Sequence, residues 1–452
     1  MSFISRILSV AGIAMLIIMI APSYVLAAQD LNIDPGNTAF ILICAALVWV
    51  MTPGLALFYG GMVRRKNVLS ILMQCFAVIA LVSVQWVLIG YTLAFGPDIG
   101  SFIGGLDYLG FNGVGITPSP EYASTVPHQV FAVFQLMFAI ITTAIISGAF
   151  AERMRFSVFV AFILLWVTLV YTPIAHWVWG GGWLGQLGAL DFAGGTVVHI
   201  SSGFSGLVAA LVLGKRLGKG RETIMPHNLP MTVLGAALLW IGWFGFNAGS
   251  SLAADGIAGL AFLTTNTCAA AGLISWVATE WITQGKPTIF GAVSGGIAGL
   301  VAITPAAGFV SPVSAIAMGF MVGPICYLAV SRLKEKFAYD DSLDAFGIHG
   351  VGGTFGALAT GIFASTAVNP AGADGLLFGN VGQFGVQVLA VLVTYLFAGV
   401  MTFLILKGLS LLSSLRVSNT EEEAGLDVSL HGEDAYNQAE LGGDGQILGL
   451  QS

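Results

Sequence analysis

Apolar positions along this chain do not alternate with polar ones; they run together in long blocks. Eleven such runs lie near 39–62, 68–95, 128–150, 156–179, 194–214, 230–249, 256–282, 288–309, 311–331, 345–364 and 385–411. Each is about as long as the ~20 residues that carry an α-helix across a bilayer. A transmembrane β-barrel would show alternating segments of about 10 residues instead. The pattern predicts an all-α polytopic membrane protein with eleven transmembrane helices. Connections are short, except the Gly- and Pro-containing stretch 96–127. Ahead of these runs stands a shorter apolar core, Ile7 to Ile20, after Arg6 and before Pro22 and the small pair Ala27-Ala28. That is the layout of a secretory signal peptide over residues 1–28. A first helix that is kept is the other reading.

Composition agrees. Of 452 residues, 56% are hydrophobic and 9% charged, against about 25% charged in soluble domains. This excludes a soluble enzyme, a nucleic-acid binder and a disordered chain. The net charge of −7 is set largely by the end of the chain. Glu421, Glu422, Glu423, Asp427, Glu433, Asp434, Glu440 and Asp444 all fall there.

The basic residues are one-sided. Arg64, Arg65 and Lys66 follow the first run, Arg153 and Arg155 the third. Lys215, Arg216, Lys219 and Arg221 follow the fifth, and Lys286 the seventh. Arg332, Lys334 and Lys336 follow the ninth, and Lys407 and Arg416 end the eleventh. The even-numbered exits have none. The positive-inside rule makes the odd exits cytoplasmic, with the N-terminus outside and the C-terminus inside. The four cysteines (Cys44, Cys75, Cys268, Cys326) sit inside apolar runs without CxxC spacing, so no disulfide framework is expected. Glycines at four-residue spacing, such as Gly291, Gly295 and Gly299, predict close helix packing and no chemistry.

Ionisable groups inside a membrane span are costly and mark pathways. His128 and His176 lie near span ends, His227 in a loop and His431 in the tail. His199 and His349 lie within apolar runs, each with an aspartate eight residues earlier, Asp191 and Asp341. Their runs, the fifth and the tenth, have opposite directions in the topology above. Two inverted five-helix repeats, 39–214 and 230–364, follow from this, with helix eleven (385–411) outside them and a site at the repeat interface. A satisfied core histidine is the plain reading of either residue alone; the matching contexts weigh against it for the pair. A metal needs three or four ligands, and no such cluster accompanies them.

Three segments then carry a resemblance: Asp191-Phe-Ala-Gly-Gly-Thr-Val-Val-His199, Trp240-Ile-Gly-Trp-Phe-Gly-Phe-Asn-Ala-Gly-Ser250 and Asp344-Ala-Phe-Gly-Ile-His349-Gly. The chain resembles the Amt/Mep/Rh ammonium transporters over roughly residues 32–440, and bacterial Amt proteins in particular. The resemblance implies ammonium as substrate and a homotrimer of eleven-helix protomers in the inner membrane. It implies an ammonium-recruiting site of Phe134, Phe138, Trp179 and Ser250, a phenylalanine gate of Phe138 and Phe246, and a pore with the twin histidines His199 and His349. Asp191 is implied to be a structural acid near the vestibule. No cofactor and no metal are implied. The membrane domain is expected over 29–412 and a cytoplasmic regulatory tail over 413–452. A PII signalling protein is the implied partner of that tail, and a merely solvated tail is the alternative.

Physical chemistry points the same way. Aromatic faces hold a small cation with up to ~2 kcal/mol when desolvated. A bare cation in a dry path costs tens of kcal/mol. An amine titrating near 10 sheds its proton at pH 7 for roughly 4 kcal/mol. Deprotonation is therefore the cheaper route, and a neutral imidazole both accepts and donates a hydrogen bond. Whether the proton follows the ammonia is not set by these energies; the resemblance implies electrogenic transport. A sensor that binds ammonium and signals through its tail is the competing function. An enzyme is not expected, for lack of any nucleophile–base or metal signature.

Overall fold

Asp34 opens the first helix: its carboxylate accepts the N–H of Asn37, and Pro35 takes an early position where no donor is needed. The computed structural model describes residues 32–222 and 224–436. The expected signal peptide, 1–28, and the tail beyond 436 lie outside the described residues.

The long helices are α1 (Pro35–Met62), α2 (Arg65–Phe95), α3 (His128–Phe150), α4 (Phe156–Gln186), α5 (Gly195–Leu213), α6 (Leu229–Gly249), α7 (Gly256–Gln284), α8 (Ile289–Ile303), α9 (Pro312–Phe337), α10 (Phe346–Phe363) and α11 (Val381–Leu412). Among the described residues ten are long and apolar enough to cross a bilayer, and α8 is shorter. The apolar run 288–309 is thus part helix and part turn. Thr304 keeps helical dihedrals (φ −50°, ψ −48°), but Pro305 has no N–H to continue the ladder, and the chain goes on in turns, with Ala306 N–H on Ile303 O and Phe309 N–H on Ala306 O. The stretch 96–127 carries two small antiparallel ladders, β1 (Asp98–Ile99) with β2 (Ile103–Gly104) and β3 (Pro118–Ser119) with β4 (Ala123–Pro127).

Several helices contain a π-helical turn. In α4 it spans Val167–Tyr171 and includes Leu169, whose carbonyl loses its usual partner because Pro173 has no N–H. In α5 and α10 the π turns are Gly195–Ile200 and Phe346–Gly350. The glycines of α8 pack as their spacing suggests. A side-chain carbon on Gly299 would sit 2.5 Å from Cys268 O on α7.

The basic exits meet in one charged layer. Buried Glu152 accepts from Arg64 Nε and Arg216 Nη1, both at 3.0 Å. Arg216 grips Asp340 with Nε and Nη2, each at 2.9 Å. Burial pushes the Asp340 carboxyl up, but the bonds and charge of Arg216 overcome this and hold it well below the usual carboxylate range. The tail docks on this layer. Helix α12 (Asn419–Ala424) begins with a Ser418–Glu421 capping box. Leu426 N–H donates to Asn67 Oδ1 at 2.8 Å, and Asp427 Oδ1 accepts Ser70 N–H at 2.8 Å. Glu422 takes Leu217 N–H and pairs with Arg416. Tyr436 lies under Arg65.

Candidate pore and its outer pocket

On the side away from the charged layer, a pocket of about 290 Å³ is lined by Phe138, Trp179 and Ser250, with Phe131, Gln135 and Tyr122 beside them. Helix α3 supplies Phe131, Gln135 and Phe138 from one face, as their helical spacing dictates. That spacing was the signal by which Phe131 and Gln135 could have been found; Tyr122 and the nearby Glu121 come from an irregular loop and had none. Trp179 is fixed by its indole N–H, which donates to Asp191 O at 2.9 Å. Ser250 Oγ donates to Phe246 O at 2.9 Å. Phe134 is placed differently from its neighbours. It is fully buried and meets Phe138 edge-on at 5.0 Å, behind the pocket rather than on its wall.

Phe138 closes the pocket floor. Its ring lies 4.3 Å from that of Phe246, with no gap for a hydrated ion. Phe246 borders the next cavity, which also holds His199, His349 and Trp243 and offers only about 10 Å³. That is about the space of a single water-sized molecule. A third cavity, toward the charged layer, shares Phe58, Ile297 and His349 with the second and adds Ser294 and Asp344. The three lie in file.

The histidines meet as a pair. His199 Nδ1 and His349 Nδ1 are 3.1 Å apart, so one donates and the other accepts. Their rings are 24° from parallel, and Trp243 stacks on His199. His199 Nε2 is buried without a hydrogen-bond partner among the described residues.

The aspartates eight residues upstream do the same work in both helices. Asp191 accepts the N–H groups of Gly194, Gly195 and Thr196 at 2.6–2.8 Å, and the Thr196 hydroxyl. Asp341 accepts those of Ala345 and Phe346. Each thus satisfies the orphan donors that open a histidine-bearing helix. The third residue after each is left-handed, Gly194 at φ 118° and Asp344 at φ 60°. Asp191 therefore spends its oxygens on the backbone and the threonine hydroxyl of its own helix start. Among the described residues no three His, Cys, Asp or Glu groups are placed to hold a metal ion.

A bundle of apolar helices with a file of narrow cavities through one chain defines a membrane transport protein. The chain belongs to the Ammonium Transporter Family, whose model matches residues 39–436. It is 60% identical over 404 residues to the ammonium transporter of Bacillus subtilis, covering 89% of this chain and 99% of that one. It is 48% identical to ammonium transporter Amt1 of Archaeoglobus fulgidus, covering 89% and 99%. Among solved structures, Saccharomyces cerevisiae Mep2 superposes with a TM-score of 0.81 at 40% identity, covering 86% of this chain and 89% of that one. A structure described as a sensor Amt protein gives 0.81 at 31% identity, covering 88% and 98%.

Proposed function

We propose that this protein carries ammonium across the cell's inner membrane by stripping the cation of its proton at the phenylalanine gate. The file of cavities carries the reading: an outer aromatic pocket, a closed ring pair and a histidine cavity wide enough for one small molecule. Relatives named as ammonium transporters support the substrate.

Ammonium is held against Phe138 and Trp179 by cation–π attraction, with Phe134 backing the gate ring, and donates an N–H to Ser250. Its proton passes to the His199–His349 pair and ammonia, now neutral, crosses beside the rings. Proton and ammonia both reach the inner side, so the transport is electrogenic. Potassium has no proton to lose and meets the full desolvation cost.

Eleven crossings complete the topology, with α8 as the eighth and α1–α5 and α6–α10 as inverted repeats. The charged layer faces the cytoplasm. A reporter fused after Ser452 should be cytoplasmic and one in 96–127 external; the reverse would overturn the orientation. Three copies form the working unit, and a PII protein docks at the layer where the tail lies. Band-shift and native-mass measurements test both.

Currents in liposomes test the mechanism. Wild type should pass ammonium current and reject potassium, and His199→Ala and His349→Ala should lose the proton-dependent current. Wild-type ammonium current with intact potassium rejection in both variants would refute the relay. Binding without flux in wild type would favour the sensor reading, which the sensor Amt likeness keeps in view.

A further inference from the structure

Outside the pore, a long groove of about 880 Å³ runs between α5 and α11. Its walls are apolar and open outward: Leu392, Leu396 and Val400 on α11 and Leu211 on α5 are all well exposed. It exists because Gly399 has no side chain. A carbon added there would stand 2.5 Å from the Phe204 ring, which occupies that space and forms the floor with Tyr395. One residue breaks the apolar lining. Lys407 closes the end of the groove nearest the charged layer, its ammonium 5.5 Å from the Phe403 ring.

Apolar contact by itself selects nothing here, because lipid tails are as apolar as the leucines they would touch. Shape and the single charge must select. Arg416, further along the chain, is held by Glu422 at 2.6 Å. Lys407 has no ion pair among the described residues. It stands where an acyl chain lying along the groove would carry its headgroup. The distance along α11 from Leu392 to Lys407 is about 22 Å at 1.5 Å per residue, more than the ~15 Å depth of one leaflet's hydrocarbon.

The geometry points to a binding site for an anionic phospholipid of the leaflet on the charged-layer side, its acyl chain in the α5–α11 groove and its headgroup on Lys407. The floor joins this site to the pore. The Tyr395 hydroxyl bonds Thr354 at 2.7 Å and Gly350 O at 3.3 Å. Phe204 packs on Phe346 at 6.2 Å. Phe346 and Gly350 are the two ends of the π turn that carries His349, so a chain pressed on the floor braces that turn from behind.

The test is native mass spectrometry of the purified protein with phosphatidylglycerol or phosphatidylcholine of identical chains, a readout independent of transport. Wild type should bind phosphatidylglycerol about five-fold more tightly, the preference that one lysine near an anionic surface confers. Lys407→Gln should abolish the preference. Leu396→Trp, a change at an outward-facing position that fills the groove, should weaken both lipids. Equal binding of the two lipids by wild type, or an unchanged preference in Lys407→Gln, would overturn the site. So would disulfide cross-linking between copies through Leu396→Cys, which would make the groove a protein interface.

Discussion

A side-chain carbon on Gly203 would lie 2.2 Å from the backbone nitrogen of Gly350. Gly203 is one turn after His199. One turn after His349, Gly353 has the matching place, 2.9 Å from His199 Cβ. Each histidine-bearing helix thus presses its next turn against the other's histidine. Gly203→Val should separate the rings as well as strain the bundle, at about 1–3 kcal/mol for overpacking. Melting temperature and ammonium flux should both fall. Gly385→Ala, where nothing lies within 4 Å, should change neither. Normal flux in Gly203→Val would show that the close approach does not set the pair's geometry.

Trp179→Leu removes one ring from the outer pocket. The expected loss is about 1–2 kcal/mol of cation attraction. Apparent affinity for ammonium should weaken several-fold while the protein still folds, with a modest fall in melting temperature because Asp191 O loses its indole partner. The check is concentration-dependent current in liposomes; an unchanged half-saturation would take Trp179 out of the recruiting site.

Asp191→Asn separates a structural carboxylate from an electrostatic one. An amide has one acceptor oxygen, so donors now met by two oxygens are left short, at about 1–3 kcal/mol. The melting temperature should fall while the folded fraction keeps near-normal affinity. Lost affinity at full stability would instead give Asp191 a direct charge effect on the cation.

The Asp340–Arg216 pair gives a pH signature. Asp340 is depressed in the folded protein, so its contribution is complete above the unfolded value of about 3.9 and disappears as pH falls through the lower folded value. Asp340→Asn should cost about 3–5 kcal/mol at neutral pH, the usual loss on breaking a buried pair. Melting curves should differ by a constant amount from pH 8 to pH 5 and converge only below pH 4. Convergence near neutrality would contradict the pairing.

Much of this was legible in residue order. Arg64, Arg153, Arg216, Lys334 and Arg416 follow odd runs, and the fold gathers them into one layer. The eight-residue step from Asp191 to His199 and from Asp341 to His349 marked the pair in the sequence, because a capping aspartate and the histidine that follows it are both local to one helix start. What was not legible depends on distant packing or subtle backbone. The π turns under both histidines have no apolar signature. Pro305 ended α8 inside a run that hydropathy alone extends to 309. The burial of Phe134 behind Phe138, and the part of the loop residues Glu121 and Tyr122 in the pocket wall, follow from how helices and loop meet in space.

The hydroxyl of Ser250 has already given its hydrogen to the helix that bears it, so toward the pocket it shows only lone pairs. In the proposed mechanism the outer pocket therefore sorts visitors by what they can offer as well as by charge. A cation with N–H groups completes that oxygen. One sheathed in methyl groups gets the attraction of the rings without the N–H bond; an alkali ion can meet the same lone pairs, so its rejection falls to the desolvation cost beyond the pocket. On that reading, admission of nitrogen cations begins as a question of hydrogen-bond polarity, asked before the Phe138–Phe246 pair is reached.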